Sequence, residues 1–152
     1  MKRYFVFTVC LVFLLASSAF AAKYVKPEDF KMWLESGKKL IIVDIQPAED
    51  FKKHHFKGSI ETNAYPVKTD EEKKRLDRVL PLIMSSSDDI VIICPRGRSG
   101  AINTYEYLKS KGVSEKRLYI LEGGIAGWPY KEMLIKKEDT KGETISNNPC
   151  SQ

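Results

Sequence analysis

Two apolar runs set the terms on which this chain can fold. LIIVDI, Leu40–Ile45, and DIVIIC, Asp89–Cys94, are each of strand length, and neither alternates polar with apolar residues. A strand with one wet face alternates. A near-continuous apolar strand needs cover on both faces, as in a parallel sheet packed between helices. Helical signals stand where such a sheet requires them. Before the first run, Pro27 suits a first helical turn, acids follow it, and Phe30, Trp33 and Leu34 recur at i, i+3, i+4 before Gly37 stops the segment. Between the runs, PAEDFKKHHFKGSI reads as a short helix and then a turn at Gly58. TDEEKKRLDRVLPLIM opens with Thr69 and Glu72 at capping-box spacing. Leu76, Val79, Leu80 and Ile83 give it one apolar face, and Pro81 is set to kink or end it. After the second run, Ser99–Lys111 is predicted to be helical, with Ala101, Tyr105 and Leu108 on one side and Gly112 as its stop. RLYIL then reads as a third strand, closed by Gly123 and Gly124. Strands alternating with helices imply the α/β class, a parallel sheet covered on both faces. Past Tyr130 the chain is charged and turn-rich and is expected to fray.

The N-terminal segment has a different character. Lys2 and Arg3 precede an apolar core from Tyr4 to Leu15, and the small residues Ala19 and Ala21 flank Phe20. This is the pattern of a secretory signal. The core falls well short of the ~20 residues of a spanning helix, which argues against the alternative of a retained anchor. Cleavage is expected near Ala21 or Ala22, giving a periplasmic or secreted protein without stable membrane insertion. The expected layout is a signal peptide at 1–22, one domain at 23–132 and a polar tail at 133–152. Loss of Lys2 and Arg3 lowers the excess of basic over acidic residues from five to three. That is too mild to argue for a nucleic-acid partner, and no interleaving of arginines with aromatics supports one. Of three cysteines, Cys10 leaves with the signal, while Cys94 and Cys150 remain. Cys150, in the tail GETISNNPCSQ, reads as an incidental thiol; the alternative is a partner that protects or resolves Cys94.

Cys94 is the candidate for chemistry. It ends an apolar run and is followed by Pro95, Arg96, Gly97, Arg98, Ser99 and Gly100. In an open α/β sheet, ligands bind beyond the carboxyl ends of the strands, where this cysteine is expected. Successive backbone N–H groups of a tight loop can form an anion cradle, and a helix starting near Ser99 would aim its positive end at the same spot. Arg96 and Arg98 add full charges. All of these favour thiolate over thiol. Gly97 and Gly100 let the main chain curl around the sulfur, to which the Ser99 hydroxyl could donate. A cysteine ending an apolar strand is ordinarily a small buried hydrophobe. A loop of this composition would serve an inert thiol poorly.

Three stretches resemble the rhodanese-like domains, sulfurtransferases that work through a cysteine persulfide. LIIVDIQPAEDFKKHHFKGSI, with Asp44, Glu49, His55 and Gly58, is similar to the family's first motif. IICPRGRSGA is similar to its active-site loop, and LEGGIAGW, Leu121–Trp128, to its closing motif. The resemblance runs from about Val25 to Tyr130. It implies a central parallel sheet of about five strands with helices on both faces. It implies Cys94 as nucleophile and persulfide carrier, with the backbone from Pro95 to Gly100 cradling the sulfur and the anionic donor. Partners would be a small-molecule sulfur donor and a thiol or cyanide acceptor, with no cofactor and no metal. Gln46 stands where the family usually has an arginine, and His54 where a glycine is usual. Asp44 is expected to give structural support, satisfying backbone donors at the sheet edge.

Cysteine phosphatases clamp phosphate with an arginine six positions after the nucleophile; that position here is Gly100, and the next is Ala101. His54 and His55 tempt a metal assignment, but adjacent side chains point apart and no third ligand is evident. A non-catalytic module that holds an anion or a partner protein is the rival from another class. A persulfide relay for an exported partner is the third possibility.

Overall fold

The computed structural model describes residues 21–136. Residues 1–20 of the expected signal, with Cys10, and the tail beyond Lys136, with Cys150, lie outside the described residues. In chain order the elements are β1 (Tyr24–Val25), α1 (Pro27–Glu35), β2 (Leu40–Asp44), α2 (Ala48–Lys53), β3 (His54–Phe56), β4 (Ile60–Glu61), α3 (Asp70–Asp77), α4 (Leu80–Ser85), β5 (Asp89–Ile93), α5 (Ser99–Ser110), β6 (Leu118–Leu121) and β7 (Leu134–Lys136). Single 3₁₀ turns at Glu115–Arg117 and Lys131–Met133 lead into β6 and β7.

Five strands form one parallel sheet in the order β1-β6-β5-β2-β4. The two apolar runs are its neighbouring central strands, paired from Leu40 with Asp89 to Asp44 with Ile93. Their side chains alternate between two cores. Ile41, Val43, Ile90 and Ile92 face the core completed by Leu76, Ile83, Ala101, Tyr105 and Leu108 of α3, α4 and α5. Ile42, Val91 and Ile93 face the opposite core with Phe30 of α1, Phe56, Trp128 and Leu134. Burial on both faces is what the unbroken apolar runs require, at about 1.5–3 kcal/mol for each buried aliphatic side chain. Phe30, Phe56 and Trp128 meet edge to face, with ring centroids 5.0–5.7 Å apart.

The helical stretch opened by Thr69, expected to kink or end at Pro81, is two helices. Thr69 and Glu72 form the capping box of α3, which ends at Asp77, and Pro81 sits in the first turn of α4. A proline there would clash with the carbonyl four residues back, so the break falls before it. The chain past Tyr130 does not fray at once. β7 pairs antiparallel with β3, His55 opposite Ile135, and buries Leu134 in the second core.

After β2 the chain moves to β4 on one side; after β4 it crosses back to β5 on the other. The carboxyl ends of β2 and β5 therefore form a switch point, where open α/β sheets leave a crevice. Asp44–Gln46 and Cys94–Arg96 emerge there side by side, joined by the Ile45 N–H donating to the Ile93 carbonyl at 2.9 Å.

Candidate active site

Cys94 follows β5 directly and is 1% exposed. It is the one cysteine among the described residues and is free. Its loop is folded by contacts from behind. Gly97 adopts φ +63° and Gly124 φ +59°, left-handed conformations that suit glycine. The two backbones are nearly in contact. A Cβ on Gly124 would lie 2.3 Å from the Cys94 carbonyl oxygen and 2.5 Å from the Gly97 nitrogen. The N–H groups of Ile125 and Ala126 donate to the carbonyls of Cys94 and Pro95, each at 3.0 Å. The glycines after β6 are thus the seat on which the cysteine loop rests, a role beyond closing the strand.

So curled, the loop points the Gly97 N–H at the Cys94 sulfur, 2.9 Å away. A backbone donor aimed at sulfur stabilises its anionic form. The bond anticipated from Ser99 is not made. Ser99 is exposed at the first position of α5, with its hydroxyl off the sulfur, and the main chain supplies the donor instead. Cys94, Arg96, Arg98, Ser99 and Gly100 line one cavity of about 200 Å³. Pro95 faces a neighbouring cleft. Arg96 and Arg98 are exposed, and among the described residues neither has an ion-pair or hydrogen-bond partner for its side chain. Two unneutralised guanidiniums at the mouth of a small cavity suit an anionic ligand.

Tyr65 also lines this cavity, and nothing in the sequence pattern marks it. It is 40% exposed and arrives from a turn whose Asn63 and Val67 have positive φ. Its N–H is anchored on the Ile45 carbonyl at 2.8 Å. Its ring crowds Gly100, where a Cβ would lie 2.9 Å from a ring carbon. Gly100 thus makes room for the tyrosine wall as well as for the loop.

Asp44 is fully buried and does not line the cavity. Its carboxyl accepts from the Gln46 N–H at 2.9 Å and from the Gln46 side-chain amide at 3.0 Å, and that amide also donates to the His54 carbonyl at 3.1 Å. Gln46 thereby joins β2 to β3 through hydrogen bonds alone, without the charge an arginine would bring. Burial pushes the Asp44 carboxyl from the ordinary 3.8 up to about 7, against the pull of the Gln46 bonds, with Glu61 adding to the rise. His54 tolerates the position where glycine is usual because its backbone is extended, at φ −152°. His55 stacks on Phe51, with centroids 4.2 Å apart, and its Nδ1 lies 2.9 Å from the Phe51 carbonyl.

The described residues contain no helix long and apolar enough to cross a membrane. The family model of the rhodanese-like domain matches residues 26–131. No curated protein sequence matches the chain. Solved structures do. A Bacillus halodurans protein is 20% identical over 76% of this chain and 78% of its own, with a TM-score of 0.59. The rhodanese-like domain of an Anabaena protein is 19% identical over 88% of each chain, with a TM-score of 0.56. A thiosulfate sulfurtransferase from Pseudomonas aeruginosa is 16% identical over 78% of this chain and 20% of its own, with a TM-score of 0.57. At these identities the likeness is one of fold.

Proposed function

The chain belongs to the rhodanese-like domain family, and from that premise we propose that it is a sulfurtransferase carrying a sulfane sulfur on Cys94. In the first half-reaction the Cys94 thiolate attacks the outer sulfur of thiosulfate or a related donor. The donor's S–S bond breaks, sulfite leaves with the electron pair, and Cys94 holds a persulfide. In the second, a thiophilic acceptor, cyanide or a thiol, attacks the outer sulfur and returns Cys94 to thiolate. This is nucleophilic covalent catalysis with electrostatic assistance, and ping-pong kinetics follow from it.

The observation that carries the reading is the buried Cys94 sulfur receiving the Gly97 N–H inside a cavity that also presents Arg96 and Arg98. The main chain holds the sulfur, and the guanidiniums attract the dianionic donor and stabilise departing sulfite. A module that only bound an anion would have no use for the thiol. The test is mass spectrometry of the purified protein after incubation with thiosulfate. One added sulfur atom on the peptide containing Cys94 is expected, removable by cyanide; an unmodified Cys94 peptide would refute the proposal. The proposal extends to an exported, periplasmic or secreted, site of action, on the strength of the charged, apolar and small residues before Lys23. Sequencing the N-terminus of the protein made in its natural host checks that: a start near Ala22 is expected, and a start at Met1 opposes it.

A further inference from the structure

Beside the cysteine cavity, and sharing Arg96 with it, lies a larger cleft of about 440 Å³. Pro95, Ile125, Ala126 and Leu134 give it an apolar lining, its charged groups are those of Asp50, Lys53, Arg96 and Lys131, and Gln46 and His54 also line it. Asp50 and Lys53 pair at 3.0 Å and offset each other. Arg96 and Lys131 have no carboxylate partner among the described residues. Lys131 is nonetheless held in place. Its ammonium donates to the carbonyls of Ile125 at 3.0 Å and Ala126 at 3.4 Å. Both residues are tied by their own N–H groups to the loop that bears Cys94. An ammonium has three donors, so one remains, with a full positive charge, fixed relative to the cysteine loop.

Cyanide needs no second cleft. A recess with an apolar lining and a fixed, uncompensated cation suits an extended acceptor that carries an anion. We propose that this cleft binds the carboxylate arm of a small carboxylate-bearing thiol that collects sulfur from Cys94, with Lys131 holding the carboxylate and Arg96 standing between the two cavities. The inference rests on the persulfide reading and names its acceptor. The acceptor thiolate attacks the outer sulfur of the Cys94 persulfide. The bond between the two sulfurs breaks, the acceptor leaves as its own persulfide, and the electron pair returns to Cys94 as thiolate. No outside oxidant or reductant is required.

The experiment uses the full chain and two kinds of probe. With thiosulfate as donor, kcat/KM is compared for glutathione, which carries carboxylates, and 2-mercaptoethanol, which does not. Lys131→Gln should lower the ratio of the two about tenfold, the loss of one charge-assisted contact, and should do so through the KM for glutathione. Lys131→Arg should restore most of it. Binding of S-methylglutathione, which cannot accept sulfur, is measured by calorimetry without any donor and should weaken by a similar factor in Lys131→Gln. An unchanged ratio, or no binding of S-methylglutathione to the unmodified protein, overturns the assignment of the cleft. Failure of Cys94 to take up sulfur while S-methylglutathione still binds through Lys131 would instead overturn the sulfurtransferase reading and the acceptor role with it, leaving the cleft as a binding site.

Discussion

Gly124 lies against Cys94 so closely that a Cβ placed on it would stand 2.3 Å from the Cys94 carbonyl oxygen. No backbone accommodates that without moving, and the backbone that would move holds the sulfur. Gly37 gives the comparison: its φ of +68° is as left-handed as that of Gly124, yet nothing lies within 4 Å of a Cβ there. Gly37→Ala should cost about 1 kcal/mol, the conformational part alone. Gly124→Ala should cost about 3 kcal/mol or more and slow Cys94 alkylation as the loop is displaced. Denaturant unfolding of both variants checks the difference; equal losses would show that close approach does not matter.

Cys94→Ser separates fold from chemistry. A serine hydroxyl fits where the thiol was and can accept the Gly97 N–H, so stability should change by less than about 1.5 kcal/mol. Sulfur transfer should fall by about 10³-fold or more, because a hydroxyl forms no persulfide. A folded Cys94→Ser variant with substantial turnover would remove Cys94 as the nucleophile.

The two arginines make a claim about charge. Arg96→Ala should weaken use of thiosulfate about tenfold while affecting an uncharged persulfide donor much less. Since both guanidiniums are exposed, added salt should raise the KM for thiosulfate in the unmodified protein. Equal losses with both donors would count against recognition of the donor by charge.

Legibility followed the reach of each interaction along the chain. β2 and β5 announce themselves because four consecutive buried residues in each, continued by Ile45 and Cys94, leave a largely apolar run, and α3 because its cap is local. β1 and β4 are two residues each, and β3 and β7 three. Such strands exist through pairing with distant partners and bear little pattern of their own; the ladder of β3 with β7 sets His54 opposite Lys136, a pair with no apolar signal, beside the buried Phe56 and Leu134. The same distinction divides the site. The cysteine loop is contiguous, so its cations and glycines can be read together. Tyr65 reaches it through a turn strained at Asn63 and Val67, Lys131 through hydrogen bonds to Ile125 and Ala126, and Gly124 through contact between two loops. Tyr65 and Lys131 leave no local signature, and Gly124, though it stands in the LEGGIAGW stretch, shows nothing there of its contact with the cysteine loop. Gln46 could be seen as a departure from the arginine usual at its position, but that it would hold Asp44 with hydrogen bonds alone required the geometry.

That exchange of charge for a neutral donor predicts an unusual pH dependence. Asp44 is buried, and its carboxyl is pushed up to about 7 from the ordinary 3.8. Between those values the folded protein keeps a proton that the unfolded chain releases. Its contribution to stability is therefore complete below about 3.8, declines as pH rises, and is lost once pH passes about 7. Carboxylates engaged in ion pairs behave oppositely, losing their contribution as pH falls, so the total curve mixes the two. Gln46→Arg isolates the Asp44 part. A guanidinium beside the carboxyl favours its ionised form, brings the folded value back toward that of the unfolded chain, and removes the decline. Unfolding free energies at pH 5 and pH 8 should thus differ less favourably for the unmodified protein than for Gln46→Arg, by roughly 2–4 kcal/mol at most. Parallel pH profiles for the two proteins would mean that Asp44 does not titrate in this range, and that Gln46 holds a carboxylate already charged.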